Sequence, residues 1–92
     1  MLVRIKAFAS FREILGRERD LDMAEGSKVA DLLEGLALSN KRFREATFDD
    51  DGLLRDYVLL MVNQKRIDPP QGLQTELHEG DEVAIFPPIA GG

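Results

Sequence analysis

Along residues 2–8 apolar and polar side chains alternate, which puts Val3, Ile5 and Ala7 on one face and Arg4, Lys6 and Phe8 on the other. A period of two is that of a strand with a core on one side. Ser10, with Glu13 three residues on, has the spacing of a capping box, so a short helix is expected from Ser10, ending near Gly16. Residues 17–23 begin charged and then alternate Leu21 and Met23 with acids, as in a second strand at a sheet edge. Glu25-Gly26 reads as a turn and Ser27 as the N-cap of the clearest helix. There Val29, Leu32, Leu33, Leu36 and Ala37 recur at helical spacing in one apolar stripe, and Asp31 in the first turn suits the helix dipole.

Residues 39–56 are the least regular part. Phe43, Ala46 and Thr47 fit a further helical turn, and Asp49-Asp50-Asp51-Gly52 an exposed turn. Tyr57 to Val62 is a continuous apolar run, as expected of a strand covered on both faces. Asn63-Gln64 is a tight turn, Lys65-Arg66-Ile67 a short returning strand, and Asp68 to Gly72 breaks regular structure. Glu79-Gly80-Asp81 turns into the last strand, Glu82 to Phe86, with Val83 and Ile85 inward. This order predicts an α+β domain: two hairpins flanking a helical crossover, the ubiquitin-like β-grasp, a mixed sheet with one main helix packed across it. Residues 1–86 form that domain and 87–92 an extended tail. The fold alone supplies no function, because modifiers, carriers and plain interaction domains share it.

Composition narrows the chemistry. Of 92 residues 43% are hydrophobic and 32% charged, with 12 Lys plus Arg against 17 Asp plus Glu for a net charge of -5. That fits one folded domain and argues against nucleic acid or an anionic membrane as main partner. The absence of cysteine excludes a disulfide scaffold, a thiolate metal site and a cysteine nucleophile. A single histidine, His78, in a predicted turn beside Glu79, reads as solvated or capping. The three adjacent acids at 49–51 lack the alternation, the sixth-position glycine and the twelfth-position glutamate of a calcium loop, so no metal site is expected. With no signal-peptide core and no run of about 20 apolar residues, the expected location is the cytoplasm.

The tail carries the one chemical feature. After Phe86 the chain reads Pro87-Pro88-Ile89-Ala90-Gly91-Gly92. Two prolines end a sheet and favour extended geometry, and two glycines present a carboxylate with no side chain near it, able to enter a narrow channel. At an average glycine usage of about 7%, a chance pair of terminal glycines occurs in roughly one chain in two hundred. A frayed end is the plain alternative.

From Gly80-Asp81-Glu82 through Phe86-Pro87-Pro88 to Gly91-Gly92, the sequence closely resembles the MoaD-type sulfur carriers, the small subunits of molybdopterin synthase and relatives of the ThiS carriers. Phe8 to Glu13, Glu25 to Leu33 and Val62-Asn63-Gln64 are similar to the same family, so the resemblance spans the chain. The insertion at 39–56, from Phe43-Arg44-Glu45 to Tyr57, resembles the archaeal branch, in which similar proteins also serve as small modifiers of other proteins.

The resemblance implies a mechanism. A free α-carboxyl has a pKa of about 3.3–3.7 and is ionised, a poor acyl donor at neutral pH. In the family a ubiquitin-activating-type enzyme uses ATP to convert the Gly92 carboxylate to an acyl-adenylate, and sulfur then gives a thiocarboxylate. In the alternative role a lysine of a target protein gives an isopeptide bond. The chain is accordingly expected to bind no cofactor and to act as co-substrate rather than as an enzyme by itself, with the activating enzyme and the large synthase subunit as partners. Pro87, Pro88, Ile89, Ala90 and Gly91 would thread the partner's channel. Phe8 and Phe86 match apolar contact positions of the family, although alternation alone leaves Phe8 equally well in the core. A further contact position, usually apolar in the family, is here Arg66.

Overall fold

The computed structural model describes residues 1–87. Strand β1 (Leu2–Ala7) is the strand its alternation predicts, with Val3, Ile5 and Ala7 buried. It pairs antiparallel with β2 (Glu18–Asp22) and parallel with β5 (Glu82–Phe86). On the far side of β5 lies β3 (Leu59–Val62), which pairs antiparallel with both β5 and β4 (Lys65–Ile67). The sheet order is β2-β1-β5-β3-β4, so the first and last strands are central neighbours. Parallel neighbours need a long crossover. Here it includes α2 (Val29–Ser39), whose Val29, Leu32, Leu33, Leu36 and Ala37 all face the core. This is the ubiquitin-like β-grasp, with helices on one face of the sheet and, among the described residues, no layer on the other.

Both helix starts differ from expectation. In α1 (Ser10–Leu15) the N-cap is Ala9, at φ 50°, and Ser10 lies inside the helix with no capping hydrogen bond. The chain turns sharply as it leaves β1, so the carbonyls of Phe8 and Ala9 already accept from Phe11 and Arg12 at 3.1 and 3.0 Å. The serine is thereby carried past the cap position. In α2 the N-cap is Lys28 rather than Ser27. Ser27 is held in extended pairing, its carbonyl accepting from Leu77 N–H at 2.8 Å, and the Asp31 carboxylate accepts the Lys28 N–H at 2.8 Å instead. A side chain from within the helix thus supplies the reciprocal bond of a capping box, to the N–H of the cap residue itself.

The irregular stretch is a true element. Helix α3 (Lys41–Thr47) starts at Asn40, whose side chain accepts from Phe43 N–H at 3.1 Å. It seals the core with Phe43, which packs on Phe11 with ring centroids 5.9 Å apart. The Asp49 turn is exposed at its tip, with Asp49 Oδ1 accepting from the N–H groups of Asp51 and Leu53.

The 57–62 run is not covered on both sides. Val58 and Leu60 are buried, Tyr57 is 49% exposed, and Leu59 and Met61 are only half-buried on the uncovered face. Within the core, Thr47 is fully buried and its Oγ1 has no hydrogen-bond partner among the described residues. A buried polar group without a partner costs stability. Thr47→Val is therefore expected to raise the stability by about 1 kcal/mol, read as a higher denaturation midpoint with an unchanged denaturant slope.

Candidate docking face and tail

The uncovered face is assembled by strand register. Ala7 is paired with Ile85 in the parallel ladder, so the next positions, Phe8 and Phe86, fall side by side. Their rings stack with centroids 4.3 Å apart and planes 11° from parallel. Phe86 is the cross-strand partner of Leu59, Ala84 of Met61, and Met61 of Arg66. Paired residues share a face, so Phe8, Phe86, Leu59, Ala84 and Met61 form one apolar stripe across three strands, with Arg66 on its rim. The Arg12 guanidinium lies 5.4 Å from the Phe8 ring centroid, a cation over an aromatic face, while its Nε donates to Ala7 O at 3.1 Å.

Toward the other end of the same face the charges are satisfied internally. Lys6 Nζ sits 3.2 Å from Glu82 and 3.7 Å from Glu18, and Arg4 Nε donates to Asp20 at 3.1 Å. The hydrogen bond that Arg4 gives to the Asp20 carboxylate raises the Arg4 pKa above its ordinary value. Unpaired apolar surface thus concentrates where β5 ends.

The three residues expected to contact partners, Phe8, Arg66 and Phe86, are brought onto this one face. Phe8 is on the open side and not in the core. Leu59, Met61, Ala84 and Arg12 complete the arrangement and had not been singled out. The uniform apolarity of 57–62 hid the alternation of β3, but reading Leu60 as inward would have turned Leu59 and Met61 out. Pro87 is half-buried, just past the strand. Pro88, Ile89, Ala90, Gly91 and Gly92, the channel-threading tail and its terminal carboxylate, lie outside the described residues.

The two motif fragments around Asn63 and Gly80 meet in space. Asn63 Nδ2 donates to Asp81 Oδ1 at 3.0 Å, its Oδ1 accepts from Glu82 N–H at 3.0 Å, and its own N–H donates to Glu82 O at 2.8 Å. Gly80, at φ 83°, makes the turn that aims β5 and donates to Leu2 O at 2.8 Å. The other Asp81 oxygen accepts from His78 N–H at 2.8 Å, while the His78 ring is largely exposed. The chain thus ties the β3–β4 hairpin to the entry of the tail-bearing strand. No cluster of potential metal ligands exists among the described residues, nor a helix long and apolar enough to cross a membrane.

The hydrogen bond from Asn63 holds the Asp81 carboxyl below its ordinary value of 3.8, against the opposing effect of burial. A depressed folded pKa contributes stability that is complete above the unfolded value and lost as pH falls through the folded one. Asp81→Ala should therefore cost about 1–2 kcal/mol at neutral pH. The gap from the unsubstituted chain should narrow as pH falls below 3.8, measured by urea denaturation across that range.

A family model described as the ThiS family matches residues 5–92. The chain belongs to the ThiS family. Among relatives of this ThiS-family chain, small archaeal modifier protein 3 of Haloferax volcanii is 30% identical and aligns over the whole of both chains. The molybdopterin synthase sulfur carrier subunit of Escherichia coli is 32% identical over 99% of this chain and 100% of its own length. The crystal structure of SAMP1 from Haloferax volcanii superposes with a TM-score of 0.87 at 30% identity, covering all of both chains. The ThiS-family chain is thus similar throughout to proteins named as sulfur carriers and to proteins named as modifiers.

Proposed function

We propose that this chain is a sulfur carrier that works through its Gly92 carboxylate, supplying sulfur for molybdopterin synthesis. The observation that carries the reading is the family match running through residue 92, together with end-to-end similarity to a molybdopterin synthase sulfur carrier subunit. In the first step a carboxylate oxygen of Gly92 attacks the α-phosphorus of ATP on an adenylating enzyme, and pyrophosphate leaves. In the second a sulfur nucleophile attacks the acyl carbon, AMP leaves, and a thiocarboxylate remains. The chain has no cysteine, so the sulfur comes from a partner.

What the body contributes is docking. The stripe of Phe8, Phe86, Leu59, Ala84 and Met61 lies beside the exit of the tail, so an enzyme seated on it receives Gly91 and Gly92 within a short reach. Six residues from Pro87 extend at most about 20 Å. Arg66 on the rim is already paired with Asp68, Nε to Oδ1 3.3 Å, so the apolar side chains carry the contact with the partner, the adenylating enzyme or the large synthase subunit. The test is intact-mass analysis after incubation with ATP, the cognate adenylating enzyme and a sulfide donor. The expected product has one oxygen replaced by sulfur, and its absence overturns the reading.

A second reading is favoured by the relatives named small archaeal modifier proteins. In it the same adenylate is attacked by a target-protein lysine, forming an isopeptide bond as AMP leaves. Tagged chain expressed in its own host would then give higher-mass species that vanish when Gly92 is deleted. Diglycine remnants on lysines are expected only if this role operates.

A further inference from the structure

Arg12 differs from the other cations that border the apolar stripe. Lys6 is paired with Glu82 and Glu18, Arg4 with Asp20, and Arg66 with Asp68. Among the described residues Arg12 makes no ion pair, and its side chain is committed to the chain's own backbone and to Phe8. It reaches three consecutive residues. Nε donates to Ala7 O at 3.1 Å, the guanidinium lies 5.4 Å from the Phe8 ring centroid, and the backbone N–H donates to Ala9 O at 3.0 Å. Ala9 itself sits at φ 50° and ψ -127°, a conformation that a residue with a Cβ keeps only where its surroundings over-determine it. Both flanks of the turn do so. Phe8 N–H donates to Ile85 O at 3.2 Å, and Phe8 O accepts from the N–H of the buried Phe11 at 3.1 Å.

The backbone around Phe8 is thereby fixed, and what is left to settle is its ring. Phe8 is half-buried on the face that no layer covers, where a side chain readily changes rotamer. Two contacts oppose that freedom, the stacking on Phe86 at 4.3 Å and the cation of Arg12. The bond from Nε to Ala7 O fixes where the planar guanidinium lies, so the ring it touches is fixed in turn. A ring already held in one rotamer loses less freedom when a partner closes on it, which favours binding without any new contact.

We infer that Arg12 is a positioning residue for docking. It holds the Phe8 ring stacked on Phe86 and acts on adenylation only through that ring, not by meeting a carboxylate of the partner. The inference deepens the docking reading given above and rests on it. Lysine separates the two roles. It keeps the charge, but it lacks the planar fork that bonds a carbonyl through one nitrogen while the rest of the group lies against a ring. A partner contact tolerates Arg12→Lys, and a clasp on Phe8 does not.

The test has two parts. In the free chain, three-bond couplings of the Phe8 β-protons should report a single χ1 rotamer, and averaged values in Arg12→Lys and Arg12→Gln. Arg12 is exposed, so the thermal midpoint of both variants should stay close to that of the unsubstituted chain. With the adenylating enzyme, both should raise the KM for this chain about fivefold to tenfold at unchanged kcat. In a Phe8→Ala background, Arg12→Gln should lower kcat/KM no further, because the ring it acts on is gone. Retained KM in Arg12→Lys beside a raised one in Arg12→Gln would assign Arg12 to a partner contact and overturn the inference. An undiminished effect of Arg12→Gln in the Phe8→Ala background, or an unaltered Phe8 rotamer in both single variants, would overturn it as well. Should Phe8→Ala alone leave KM unchanged, the stripe itself falls as the docking surface, and the inference falls with it.

Discussion

Gly91→Val and deletion of Gly92 should each reduce adenylation at least about a hundredfold, because misplacement of a reacting group by about 1 Å already costs that much. Deletion draws the carboxylate back by about 3.3–3.6 Å. The valine introduces a β-branched side chain where a narrow channel requires none, and it restricts the backbone. Both changes lie beyond Phe86, the last residue of β5, so the thermal midpoint should not move. Pyrophosphate release with the activating enzyme, read beside circular dichroism melting curves, separates the two effects. Normal adenylation of the truncated chain would remove Gly92 from its assigned place.

The second large effect is expected on the open face. Met61 is half-buried there between Ala84 and Arg66, in the middle of the stripe. Met61→Asp sets a carboxylate among apolar side chains but leaves it access to water, so the fold should tolerate it. In a docked complex the same carboxylate is desolvated without a partner. A loss of about 2–4 kcal/mol, roughly thirty- to a thousandfold in affinity for the adenylating enzyme, should follow. Arg66→Ala, at a side chain 66% exposed on the rim, should cost less than about tenfold, since exposed charges contribute little. Calorimetry or surface plasmon resonance with catalytically competent partner measures both. If Met61→Asp binds as the unsubstituted chain does, the stripe is not the docking surface.

The strands β1 and β5 and the stripe of α2 were legible because one face of each meets the core and the other does not, and periodicity records that contrast. The caps were misread for a different reason. Ser10 and Ser27 have cap chemistry, but the sharp turn at Ala9 and the pairing of Ser27 with Leu77 decide where each helix begins, and those depend on residues distant in space or on backbone geometry. Helix α3 showed only a few apolar positions in a polar background, so its periodicity was faint until Phe43 met Phe11. The run at 57–62 concealed its outward side through uniform apolarity, which is why Leu59 and Met61 escaped notice while Phe8 and Phe86 did not. The pairing of Asn63 with Asp81 was beyond sequence alone, since eighteen residues separate them.

The place of β5 between β1 and β3 also bears on timing. The apolar stripe draws Phe8 from the beginning of the chain, Leu59 and Met61 from its later half, and Phe86 from the strand that is synthesised last. Contacts between such distant segments form late and slowly during folding. A chain still emerging from the ribosome therefore has no stripe, whatever secondary structure it has gained. If the adenylating enzyme grips this stripe before touching the tail, as proposed, it would inspect the finished fold in doing so, and copies without the stripe would be left unactivated.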